Sequence, residues 1–503
     1  MKTVFNTLIF TLLAAFVAAP CTLKAQNECT ELTNVVIFIR FADDAEINHS
    51  LADIDTMFNG RRAGYLSIYN FYDALSYGRI HYNTVYTNNI QDGVIVSYQD
   101  IMPRRYFQPY HSVMNPDGYL PEEQPFMGVS MREAELLGRA VRYVDSLHLI
   151  DANVVLDGDG DGDIDNISFI VKGGTGDWAS ILWPHMEYFP HDSLDYTVTL
   201  NGLRPNTFNF EFEGAGSSYF SAHVFRHEMA HSLDMPDLYH YLNYSNVSPA
   251  GRWDMMHYSY VTNHTAAIYK NKILHVADEP VRIMADGDYT LRSVGSSPSQ
   301  NCYYIKSSID PTQWFVFEYR RQADLFEDGI PGTGLIVARW VDTVPLDYYG
   351  MFANAFFDFH TRAHQYWIFR PGSDIDTVDG NLFQAFFSQA SGRTSFGPTT
   401  DPHPYLTDGT PEPGFEITDI RENGTELTFH VHFFIPPVGV ETVEEDAFRV
   451  YADGGRIVVK GADGERIQVY DIMGRPVADR SLPTGVYMVR VGIRPAQKVV
   501  VLR

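Results

Sequence analysis

Residues 221–239 read SAHVFRHEMAHSLDMPDLY, and within them stands His227-Glu228-Met229-Ala230-His231. An α-helix turns about 100° per residue, so positions i and i+4 project side by side and both imidazoles can reach one metal ion about 2 Å away. Glu228 lies next to them, where a carboxylate can take a proton from water at the open side of the ion. Aromatic and small apolar residues over 220–226 suit a buried helix. No proline or glycine interrupts before Pro236, so the spacing predicts a helix ending near Asp234. Asp237 follows the turn in the longer pattern His227-Glu228-x-x-His231-x-x-Asp234-x-x-Asp237 and is expected to swing back as a third ligand. Two neutral histidines and one carboxylate leave Zn²⁺ a free position for water.

Downstream stands Gly251-Arg252-Trp253-Asp254-Met255-Met256-His257-Tyr258. The run HEMAHSLDMPDLY followed by WDMM resembles the immune-inhibitor-A-type secreted metallopeptidases, a metzincin-related family. The resemblance implies His227, His231 and Asp237 as zinc ligands, Glu228 as general base, Met256 in a turn beneath the zinc, and Tyr258 as a donor to the developing oxyanion. Where the family has glycine this chain has Asp234, at a position that needs a left-handed backbone; Asp tolerates that conformation better than most residues. Should Asp237 fail as a ligand, His240 is the next candidate. Residues 34–43 (NVVIFIRFAD) resemble the family's opening strand, and residues 70–78 (NFYDALSYG) the helix that follows. Residues 317–320 and 329–337 resemble its later strand pairs, so the likeness runs from about residue 34 to about 435. The implied fold is α+β: a metzincin-like peptidase domain with a twisted sheet and an active-site helix.

A second metal site is expected at residues 157–165, DGDGDGDID. Alternating carboxylates among turn-permitting glycines can surround a hard cation with oxygens, and Asp157, Asp159, Asp161, Asp163 and Asp165 are the candidate Ca²⁺ ligands. Ser168 stands where an EF-hand would place its bidentate glutamate, and an apolar strand at 167–172 replaces the second helix. The reading is therefore a calcium loop that feeds a strand. Without a cation, five carboxylates in nine residues would repel one another.

The chain's ends speak to location. Residues 1–25 combine Lys2, an apolar stretch at 4–19 and Ala25, as a secretory signal peptide does. Pro20 argues against lipidation at Cys21. No other stretch is long and apolar enough for a transmembrane span. Cys29 and Cys302 are left to bridge or to remain free; Cys29 capping the zinc is a further alternative. After Pro436-Pro437, residues 436–447 read as an acidic linker. Short alternating runs at 448–451, 456–460, 467–471, 486–491 and 498–502 then predict a small β-sandwich over 448–503. VYDIMGR, GVYMVRV and KVVV, in that order, resemble the C-terminal sorting domain of the type IX secretion system, which implies that machinery as a partner and a secreted or cell-surface location.

A formal charge of −26 excludes a nucleic-acid partner, since phosphate binding needs a basic face, and favours bound cations. Residues 26–285 are expected to form the peptidase domain and residues 286–435 its β-rich continuation, packed on the zinc domain. The expected function is that of a secreted, monomeric zinc endopeptidase acting on proteins or peptides. The alternative is a calcium-stabilised surface adhesin on a peptidase-like fold, which would have no use for Glu228.

Overall fold

In a computed structural model the chain is described over residues 29–124, 128–174, 181–214, 222–240, 247–342, 364–435, 437, 449–453, 456–460, 467–471, 477, 485–491 and 497–501. The expected signal peptide and linker lie outside these residues, apart from Pro437.

Strand β1 (Thr30–Arg40) is apolar on both faces because both are covered. Val35, Ile37 and Ile39 enter one core, and Leu32, Val36 and Phe38 the other. Helices α1 (Leu51–Asn59) and α2 (Ile68–Leu75) follow, capped by the Ser50 and Ser67 side chains. Left-handed Tyr77 and Gly78 then turn the chain into β2 (Ile80–Tyr86). After β3 (Tyr98–Gln99) come α3 (Met131–Ser146), β4 (Asn166–Val171), β5 (His185–Tyr188), β6 (Thr207–Phe212), α4 (Ala222–His231) and α5 (Ala267–Lys272). The sheet order is β2-β1-β4-β6-β5, with β3 beside the end of β1. The first four strands are parallel, and β5 runs antiparallel at the edge. Phe58, Phe71, Tyr72, Phe225 and Met229 from α1, α2 and α4 fill one side, while α3 covers the other with Leu136, Leu137 and Val141. Each such side chain contributes roughly 1.5–3 kcal/mol by burial.

Strands dominate the region that follows. They are β7 (Val281–Arg282), β8 (Gly287–Arg292), β9 (Tyr303–Lys306), β10 (Gln313–Arg320), β11 (Gly334–Val341), β12 (Tyr366–Ile368), β13 (Phe415–Asn423) and β14 (Glu426–Phe433). They form the sheets β7-β9-β10-β11-β12 and β8-β14-β13. Alternation sends Val316, Ile336 and Ala338 into the core of the helical side, and Phe315, Phe317 and Val337 against Ile417, Leu427 and Phe429. That shared core explains why the described residues up to Pro437 form one compact unit.

The second unit, residues 438–503, contains β15 (Arg449–Asp453), β16 (Arg456–Lys460), β17 (Ile467–Asp471), β18 (Gly485–Val491) and β19 (Gln497–Val501). Their positions match the alternating runs to within two residues. Antiparallel β15-β16 and β17-β18-β19 contribute Ile457, Val469, Tyr487 and Val489 to one small core. The chain is thus mixed α+β with more sheet than helix. Among the described residues, no helix is long and apolar enough to cross a membrane.

Candidate metal centre

Helix α4 presents His227, Glu228 and His231, and its backbone is anchored from several directions. The Tyr72 hydroxyl donates to the Arg226 carbonyl at 2.7 Å. The Arg226 guanidinium, fully buried over the Phe71 ring, donates to the Ser259 and Val261 carbonyls and to Oδ1 of Asn263. Below the helix end, Ser232 donates to Asn166, whose amide donates at 2.7 Å to both Asn34 and Asn209 across the sheet. Buried amides bonded to one another lock the register of β1, β4 and β6 beneath the helix.

The helix ends at His231, and a turn runs on to Asp234, which has the expected left-handed backbone at φ 62°. That reversal lets the Met235 carbonyl accept from Nδ1 of His231 at 2.6 Å. Nδ1 of His227 donates likewise to the Met255 carbonyl at 2.9 Å. A carbonyl can only accept, so both rings carry a proton on Nδ1, and Nε2 is the nitrogen that faces Asp237 and would bind a metal. Oδ1 of Asp237 lies 3.2 Å from Nε2 of His227 and 3.4 Å from Nε2 of His231. Tetrahedral ligands about 2.0–2.1 Å from zinc are about 3.3–3.4 Å apart. Asp237 Oδ1 therefore stands at zinc-shell spacing from both imidazole nitrogens, and the donor set fits that ion.

The charges also interlock. Burial opposes the charged form of His227, but Asp237 and Glu228 outweigh it and push the imidazole up to about 9. Burial opposes ionisation of Asp237 too, yet the paired imidazoles hold it well below the usual carboxylate range. Glu228 is raised by burial against the pull of both histidines, and the Met186 amide on β5 donates to it. The donor atoms of His227, Glu228 and His231 lie within 4.8 Å of one another.

Met256 is fully buried, and its turn ties the pieces together. Its carbonyl accepts from the Leu238 amide at 2.9 Å, and its own amide donates to Oδ1 of Asp254 at 2.8 Å. Those two bonds hold the segment carrying Asp237 against the segment that orients His227. The Tyr258 ring meets Arg252 and Tyr260. Tyr239 touches the centre, with its hydroxyl bonded to Asp237 and its ring stacked on His227 at 6.2 Å. The motif drew attention to the tyrosine after the methionine; the one two residues after Asp237 could have been found by extending the turn. Glu211 on β6 was also missed. It is buried, its carboxyl is pushed well above the usual range by burial and then by Glu228, and it lies on the strand face opposite Phe208, Phe210 and Phe212, beneath α4. His240 stands outside the triad, with Nε2 2.8 Å from Nε2 of His364.

In the acidic loop, Asp157, Asp159 and Asp165 bring carboxylate oxygens within 4.8 Å of one another, while Asp161 and Asp163 stand outside that group. Gly160 and Gly162, both with positive φ, fold their amides onto Asp157 at 2.7 and 3.1 Å. Burial, then the Asp159 charge, push Asp165 up to about 7. Oxygen donors of this kind suit a hard cation such as Ca²⁺. Cys29 is exposed and Cys302 buried, and both are free thiols.

A family model described as a domain of unknown function, DUF6383, matches residues 437–501, which is the second compact unit, and no curated protein matches the chain.

Proposed function

We propose that the chain is a zinc-dependent endopeptidase, and that its first unit is a metzincin-like catalytic domain. The observation that carries this reading is the approach of Asp237 Oδ1 to Nε2 of His227 and Nε2 of His231 at zinc-shell spacing, with the Glu228 carboxylate beside the two histidines. Zinc bound by those three residues would polarise the scissile carbonyl and lower the pKa of the attacking water. Glu228, raised by burial, accepts that water's proton and hands it to the leaving amine. Tyr239 and Tyr258 are the two candidate donors to the tetrahedral oxyanion, and of the two it is Tyr239 whose hydroxyl meets a ligand. Among the described residues strand β5 ends the sheet next to Glu228, so an extended peptide can add alongside it by main-chain hydrogen bonds. Asp157, Asp159 and Asp165 would hold calcium and stiffen the entry to β4.

The C-terminal unit is proposed as a sorting module for type IX secretion, with the enzyme acting outside the cell or on its surface. Its separate small core and its own family match support an independent module. Cleavage of unfolded casein by the secreted, zinc-loaded chain, with and without a chelator, tests the enzymatic reading. Chelator-sensitive hydrolysis is expected; its absence would favour the adhesin.

A further inference from the structure

A second set of soft and hard donors is built by strand register at the start of β1. Strands β1 and β2 are parallel, with Glu31 opposite His81. Side chains alternate along a strand, so Cys29 projects to the same side as Glu31, and Asn83 to the same side as His81. Sγ of Cys29 lies 3.2 Å from Nδ1 of His81 and 3.3 Å from Oε1 of Glu31, and the last two atoms are 2.8 Å apart. Each donor is oriented from behind. Nε2 of His81 meets Oδ1 of Asp73, from α2, at 2.8 Å. The His81 ring stacks on Tyr69 at 4.8 Å, and the Asn83 amide holds the second Glu31 oxygen at 2.7 Å.

This setting is a poor one for a reactive thiol. Partial burial, the Glu31 hydrogen bond and the charges of Glu31 and Asp73 push the Cys29 thiol up to about 11, so little thiolate is present for nucleophilic attack. A cation among the same groups reverses that balance, because a coordinating thiol is deprotonated outright. An imidazole backed by a carboxylate is also the arrangement in which metal-binding histidines recur.

We propose that Cys29, Glu31 and His81 form a second transition-metal site, for a zinc-class divalent ion, with Asp73 orienting the histidine. On binding, the Cys29 S–H bond gives its proton to solvent as the sulfur–metal bond forms. His81 coordinates through Nδ1, giving any proton it shares there with Glu31 to solvent, and keeps its Nε2 proton for Asp73. Donors in a tetrahedral zinc shell with one sulfur stand about 3.3–3.6 Å apart, so the cluster opens by a few tenths of an ångström. The Glu31 side chain, 57% exposed, is free to give that movement. The thiolate selects against calcium and magnesium, and the fourth position takes water.

Cobalt(II) added to the metal-free full chain is the probe, read by the near-ultraviolet thiolate-to-cobalt charge-transfer absorption. The band is expected in the wild type and in His231→Ala, and it should vanish in Cys29→Ser and His81→Gln. Because His231→Ala removes the α4 centre, failure of the peptidase reading and failure of this one give different results. In parallel, zinc at ten times its Kd should slow iodoacetamide alkylation of Cys29 about tenfold in the wild type but not in His81→Gln. No band in the wild type, a band that survives Cys29→Ser, or alkylation indifferent to zinc would overturn the proposal.

Discussion

Replacing Glu228 by glutamine separates catalysis from structure, because the change keeps the side chain's shape and removes only its capacity to carry a proton. General acid–base catalysis is worth about 10²–10⁴ in rate, which at about 1.4 kcal/mol per tenfold is roughly 3–5 kcal/mol of transition-state stabilisation. The proposed ligands His227, His231 and Asp237 are untouched, so zinc content should match the wild type. Stability should move the other way. The folded-state pKa of Glu228 is raised by burial, so the ionised carboxylate opposes folding at any pH above its unfolded value near 4.3. Glutamine removes that cost, and the metal-free variant should melt no lower than the wild type at pH 7. Casein cleavage per mole of bound zinc, paired with a thermal melt, reads both arms. Full activity in zinc-loaded Glu228→Gln would refute the assignment of the base; a lower melting temperature would refute the electrostatic argument.

His231→Ala and Asp237→Ala should each lose bound zinc by metal analysis, and retention in Asp237→Ala would move the third ligand elsewhere. Asp234→Val should destabilise by about 1–2 kcal/mol in a denaturant titration, because a side chain pays that cost in the left-handed region, whereas Asp234→Gly should be nearly neutral. For the metal-free protein, the raised His227 contributes stability that is complete below about 6.5 and lost as pH rises through about 9. The lowered Asp237 contributes stability present above about 3.9 and lost as pH falls toward its depressed folded value. Melting temperature against pH without zinc should therefore peak between those limits, and zinc uptake at pH 7 should release the His227 proton, measurable as buffer-dependent heat. Asp165, raised to about 7, opposes folding increasingly as pH climbs from about 4 to 7. Calcium should thus raise the melting temperature more at pH 7.5 than at pH 5, and an equal effect at both would count against that site.

Much of the architecture was legible because it rests on short-range periodicity. Val35, Ile37 and Ile39 alternate with Val36 and Phe38, which marks a strand covered on both faces. The five C-terminal strands follow from the same two-residue rhythm between turns. The left-handed backbone of Asp234 was implied by the family resemblance, which has glycine at that position. Tyr258 was singled out by its distance from the methionine, but which tyrosine reaches a ligand depends on where two loops lie, and Tyr239 is the one bonded to Asp237. Glu211 offered no signal, because an isolated glutamate in an aromatic strand looks like a solvent-facing residue until a helix covers it.

The chain alone determined that two imidazoles share one helical side with a carboxylate next to them, since residues four apart are brought together by the 3.6-residue turn whatever surrounds them. It also determined the acidic loop and the alternation of the strands. Tertiary structure decided the rest: the Met255 carbonyl that sets the His227 tautomer, the return of Asp237 to both Nε2 atoms, and the register that stands Glu31 against His81. Those partners are distant along the chain, and no local pattern encodes their meeting. Only the burial of a common core and the pairing of strands bring them within hydrogen-bonding range.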